Sequence, residues 1–155
     1  IIASMYALIL SLWTGGIFMF TFIVTPVIFR SYSRDAAGDI VGKLFPMYFL
    51  FCIAVAAAAL VTLLLMTEYR TTTKYIISII LVILALCSSI YLKFYLHPEI
   101  VSVKQQIASF ETVSAEDPLR KKFRSLHAKS AVLNLAMLAD GLTLLLMGLG
   151  YTRGQ

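Results

Sequence analysis

Residues 1–29 contain no charged side chain at all. A helix rises 1.5 Å per residue, so about 20 apolar residues are enough to cross the hydrocarbon of a bilayer. Three further stretches meet the same criterion. Residues 44–67 and 75–92 are free of charge, and residues 131–151 contain only Asp140. The third stretch extends to residue 96 if Lys93 carries its ammonium to the interface along its own aliphatic stem. The spans are therefore placed at about 2–29, 44–67, 75–96 and 131–151. None alternates apolar and polar residues as a barrel strand does, so all four are helices. The first run has no basic stretch ahead of it and is about twice as long as a signal-peptide core, so it reads as a retained span.

Composition agrees. The chain is 60% hydrophobic and 14% charged, whereas soluble domains run at about 45–50% and 25%. This excludes a soluble enzyme, a nucleic-acid-binding domain and a disordered chain. The fold class expected is all-α: a single four-span membrane domain, residues 1–155, forming an integral membrane four-helix bundle. Tyr69, Tyr75, Tyr91, Tyr95 and Tyr151 fall near span ends, where an aromatic belt belongs.

Basic residues set the expected orientation. Arg30, Arg34 and Lys43 lie in the first connection, and Lys93, Lys104, Arg120, Lys121, Lys122, Arg124 and Lys129 in or beside the third. Only Arg70, Lys74 and Arg153 lie on the opposite side. Ten against three puts loops 30–43 and 97–130 in the cytoplasm and both termini outside. Arg120, Lys121, Lys122 and Arg124 are placed to meet anionic lipid headgroups, and no nucleic acid is expected as a partner. In the long loop, Ile100, Val103, Ile107 and Phe110 recur at helical spacing after Pro98. This predicts an amphipathic helix lying on the membrane or against the bundle. Ser114, Glu116, Asp117 and Pro118 then form an acidic helix start that leads without a break into span four.

Few residues carry chemistry. Thr14, Thr21 and Thr25 share one face of span one, either as a ligand-lined groove or as ordinary helix packing. Pro26 takes the helical donor away from the Phe22 carbonyl. Gly15 and Gly16, with Ala54, Ala57 and Ala58, mark expected close helix contacts. Cys52 and Cys87 could meet if spans two and three are neighbours, although buried cysteines more often act as small apolar fillers. Asp140 is the only acid inside a span, and both structural hydrogen bonding and ion or proton handling stay open for it. His97 and His127 sit at the cytoplasmic ends of spans three and four, where a pair of imidazoles could ligate a metal ion or haem b. No nucleophile triad, phosphate-binding glycine loop or paired-carboxylate motif is present.

Three patches occur together: Trp13-Thr14-Gly15; Leu44-Phe45-Pro46-Met47-Tyr48-Phe49; and Leu126-His127-Ala128-Lys129-Ser130, continuing to Asn134-Leu135. Together with Tyr95-Leu96-His97-Pro98 they resemble the small four-span membrane proteins that include transmembrane protein 205. That group is largely of unknown function; the resemblance implies a four-helix membrane fold and an association with transport-related roles in eukaryotes, and brings no established chemistry with it. His127, Ser130 and Asn134 share a face of the fourth helix. They could meet Tyr48 and the threonine stripe, either as a clamp between helices or as a ligand site. Two functions are carried forward. One is a non-catalytic membrane protein, transport-related or an accessory subunit beside other membrane subunits. The other is a haem- or metal-binding redox protein using His97 and His127.

Overall fold

The structure is a computed structural model that describes residues 1–67 and 70–152, with side chains to residue 148. Tyr69, Arg153 and the side chain of Tyr151, assigned above to the belt and the outer charge count, lie outside the described residues. Six α-helices make four long rods, and the described residues contain no strand. The first rod comprises α1 (Ile2–Phe18), a π-helical turn (Met19–Val24) and α2 (Thr25–Ser31). The second is α3 (Arg34–Leu65). The third comprises α4 (Thr73–Tyr91), a π-helical turn (Leu92–Leu96) and α5 (His97–Gln105). The fourth is α6 (Pro118–Thr152). All four rods are long and apolar enough to cross a membrane.

Local chemistry explains where the rods begin. Ser33 caps α3 by accepting from the Ala36 N–H at 3.4 Å, and Thr72 caps α4 by accepting from Tyr75 at 3.3 Å. Asp117 Oδ1 accepts from the Leu119 and Arg120 N–H groups at 2.8 and 3.3 Å, and Pro118 opens α6. A carboxylate there satisfies donors that the helix leaves unpaired.

Both π turns precede a proline. The Thr25 N–H reaches back five residues to the Phe20 carbonyl, and the His97 N–H reaches the Leu92 carbonyl. Pro26 and Pro98 follow at once, so each widened turn absorbs the register change that a ring without an N–H imposes. The rods therefore continue through both prolines. The amphipathic segment of the long loop is helical over α5, joins span three directly and packs against the bundle, with Val103 and Ile107 buried.

The buried positions recur at alternating steps of three and four. On span one they are Tyr6, Leu10, Trp13 and Ile17, with Thr14 buried beside Trp13. On span three they are Tyr75, Ser78, Val82, Ala85, Ser89, Leu92 and Leu96. That 3.5-residue seam is the signature of helices packed at shallow crossing angles. Span one packs on spans two and four, and span three packs on the same two, so spans two and four are diagonal partners. The outer faces stay apolar: Leu8 is 61% and Leu146 72% exposed, as lipid-facing side chains are.

Several sequence expectations are corrected at this level. Ala56 and Ala59 form the fully buried small-residue contact of span two, while Ala54 is exposed and Ala57 and Ala58 are half-buried. A Cβ at Gly15 would meet nothing, so the close contact falls to Gly16, beneath the Phe51 ring. Tyr75 belongs to the core and not to the interfacial belt, whereas Tyr91 and Tyr95 are exposed and stacked. Cys52 is buried and Cys87 exposed on the lipid face, and both are free thiols. Lys93 reaches the predicted cytoplasmic end of span two. Its ammonium donates to the Pro46 carbonyl at 3.1 Å, pinning span three to span two beside the proline.

Candidate functional site

The site begins with Asn134, a half-buried amide on the inner face of α6. Its Nδ2 donates to Thr21 Oγ1 on span one at 2.8 Å, and its Oδ1 accepts from the Tyr48 hydroxyl on span two. One carboxamide therefore links three spans, one of the two bonds crossing the diagonal of the bundle. Neither end of the amide is left unpaired, which matters where a lone polar group costs several kcal/mol. Tyr48 is held flat against Phe20, with ring centroids 4.1 Å apart and planes 12° from parallel.

On the α2 and α5 side of this chain of bonds the rods part around two adjoining chambers. The lower, of about 220 Å³, lies between span one, the Phe45 and Phe49 rings of span two, and the stretch of span four from His127 to Leu135. The upper, of about 110 Å³, continues between the first turns of α3, helix α5 and the start of α6. Thr25, Phe45, Phe49, His127 and Ser130 line both.

His97 and His127 face the upper chamber from different helices. The His97 ring lies 5.8 Å from Phe45 and 5.9 Å from Phe49, and His127 stacks on Phe123 at 5.9 Å. Among the described residues no group of three or more His, Cys, Asp or Glu stands together as a metal cage would require. Of the remaining candidates, Thr14 is buried two turns away against Gly141 and lines neither chamber. Asp140 is half-buried six residues beyond Asn134, outside both chambers and without a hydrogen-bond partner among the described residues.

A polar collar closes the upper end. Lys104 Nζ meets Asp39 Oδ1 at 2.5 Å, joining α5 to α3. Asp35 accepts from Ser109 Oγ at 2.6 Å and from the Phe110 N–H at 2.8 Å. It lies outside the membrane-spanning part of α3, and these two bonds, the Ser109 bond above all, hold its carboxyl below the usual carboxylate range. Phe110 is thereby fixed over the chamber, edge-on to Phe123 at 4.8 Å and beneath the Arg120 guanidinium at 5.5 Å. The basic cluster is partly occupied within the chain. Arg120 donates to the Val113 carbonyl, Lys121 pairs with Glu116 at 2.7 Å and Lys122 with Glu99 at 3.2 Å, while Arg124 has no ion pair among the described residues.

Sequence reasoning did not single out Phe20, Arg34, Lys104 or Phe123 as parts of a site. Asp39 and Lys104 are 65 residues apart, and no local pattern marks two such surface charges as neighbours. Among the described residues no carboxylate and no thiol lines either chamber. The walls offer imidazoles, hydroxyls, aromatic faces and two cations, a set suited to binding, and among the described residues no hydroxyl is hydrogen-bonded to either imidazole.

Four apolar rods around an internal polar link define a multi-pass integral membrane protein of the helical-bundle class. The chain belongs to the DUF4149 family, a domain of unknown function whose pattern matches residues 8–109. That match takes in spans one to three and α5, so Asn134, Ser130 and His127 lie beyond it. No curated protein and no solved structure matches the chain.

Proposed function

We propose that this protein is a non-enzymatic membrane bundle that binds a small ligand at the cytoplasmic ends of its spans, in a transport-related role of the kind associated with the transmembrane protein 205-like group. The observation that carries this reading is the pair of chambers floored by the Tyr48–Asn134–Thr21 chain and walled by His127 and Ser130. Ligand sites in bundles are built in this way, from a few convergent polar groups among aromatic walls. The ten-to-three distribution of basic residues supports cytoplasmic loops at 30–43 and 97–130, with both termini outside. The chambers then lie at the cytoplasmic side of the bundle. An accessory role beside other membrane subunits would use the exposed apolar faces and leave the chambers idle. The test is to purify the chain from its native membrane, extract it and identify small molecules present in proportion to protein. Ser130→Phe, which intrudes where the two chambers meet, abolishes that copurification if the reading holds. Equal recovery from the variant would defeat it.

A second reading keeps His97 and His127 as ligands of a metal or haem b, because both imidazoles face one chamber. A single ion fits the space of about 110 Å³, whereas a porphyrin would have to displace Phe45 and Phe49. A Soret band lost in His127→Ala would favour haem over the first reading.

A further inference from the structure

We propose that the ligand is an anionic phospholipid, which enters sideways from the bilayer between spans one and four and seats its phosphate against Arg34 and Lys104; this rests on the reading of the chambers as a ligand site. Charge is the first argument. The two chambers are lined by Arg34, Lys104 and two imidazoles, and among the described residues by no carboxylate. Arg34 has no hydrogen bond or ion pair to any described residue, although its side chain borders the upper chamber. A guanidinium is suited to phosphate because its fork of donors matches two oxygens at once.

Arg34 carries the uncompensated charge of this wall. Asp39 pairs with Lys104, whose side chain is only 20% exposed, and Asp35 also attracts Lys104 while accepting from Ser109 and Phe110. Gly38 leaves the room that Lys104 uses, since a Cβ there would stand 3.2 Å from Nζ.

Shape is the second argument. The lower chamber is walled by the faces of Phe20, Phe45 and Phe49, and its rim residues Phe22 and Leu135 are 49% and 47% exposed to the surroundings of the bundle. Small Ala131, exposed one turn before Leu135 on α6, lines the same chamber. From Arg34 to Phe49 the groove follows about fifteen residues of α3, about 22 Å of helical rise. One end is cationic and lies outside the hydrocarbon; the other is apolar and opens into it. An acyl chain attached to a phosphate has that same polarity and order.

Native mass spectrometry of the intact chain, released from detergent with phosphatidic acid, phosphatidylcholine of the same chains, oleate or inorganic phosphate, tests this. The expected result is one retained phosphatidic acid, favoured over phosphatidylcholine by about tenfold, with Arg34→Gln lowering retention by about tenfold. Ala131→Phe abolishes retention while leaving the melting temperature unchanged, because its ring enters the chamber from an exposed position. Equal retention of phosphatidylcholine, insensitivity to Arg34→Gln, or oleate or phosphate binding as well as the phospholipid would each overturn the assignment. If Ala131→Phe still displaces whichever lipid is bound, the ligand site stands and only its anionic class falls. If Ala131→Phe displaces nothing, the ligand site falls as well.

Discussion

Gly141 of span four faces Thr14 of span one so closely that a Cβ on the glycine would stand 2.8 Å from the threonine Oγ1. Thr14 is buried and its hydroxyl has no hydrogen-bond partner, so it is held there by packing alone. The same helix pair closes further along, where Gly148 lies within 3.6 Å of Leu10 by the same measure. Small residues let membrane helices approach where no hydrophobic force drives them together.

Gly141→Ala therefore forces the two rods apart or drives the stiff, β-branched Thr14 off its rotamer. Overpacking of this kind costs about 1–3 kcal/mol, against a gain of up to about 1 kcal/mol in helix propensity. Its melting temperature in detergent falls below that of the parent. Gly16→Ala is the control. The obstacle there is the outer edge of the Phe51 ring, which swings toward lipid, so the melting temperature holds. The opposite order would show that the first and fourth spans are not packed as described.

Asn134→Leu removes both bonds of the polar link, leaving the Tyr48 hydroxyl with Thr21 and Cys52 as its remaining partners. Interhelical bonds in membranes average about 0.6 kcal/mol, so losing two costs about 1 kcal/mol. Tyr48→Phe removes one bond only and costs about half as much. The double variant is less destabilised than the sum of the two, because both changes break the same bond. Strict additivity in denaturant titrations would mean that Tyr48 and Asn134 do not interact.

Asp35 ties the long loop to α3 through a charged carboxylate. Its folded pKa is depressed below the ordinary 3.8, so the tie contributes fully above that value and is lost as pH falls through the depressed folded value. The protection factor of the Phe110 amide stays high through the ordinary carboxylate range and falls only as pH passes the depressed folded value. In Asp35→Ala the amide exchanges fast at every pH. A protection factor that does not depend on Asp35 would remove its role as anchor.

Orientation is read by labelling single cysteines in a Cys87→Ala background. Ser31→Cys and Ala115→Cys resist a membrane-impermeant thiol reagent added outside intact cells, and Thr71→Cys reacts. Reversed accessibility would invert the topology and turn the chambers to the external face.

The existence, number and approximate ends of the spans were legible in residues 1–148 because charge is scarce in hydrocarbon and one helix start carries its own signal, at Asp117 and Pro118. His127, Ser130, Asn134, Tyr48 and Thr21 could be suspected for a related reason: polar side chains inside an apolar run stand out. What the sequence did not decide was which face of each span turns inward. A lipid-facing helix is apolar all round, so Ala54 and Ala56, Gly15 and Gly16, or Tyr75 and Tyr91 look alike until neighbouring rods pick one of each pair. Nor could it show that Asn134 reaches Tyr48 across the diagonal, or that Arg34 and Lys104 border one chamber. Those relationships depend on how four rods close on one another, and that closure is set by side-chain volumes and shared hydrogen bonds between residues far apart in the chain.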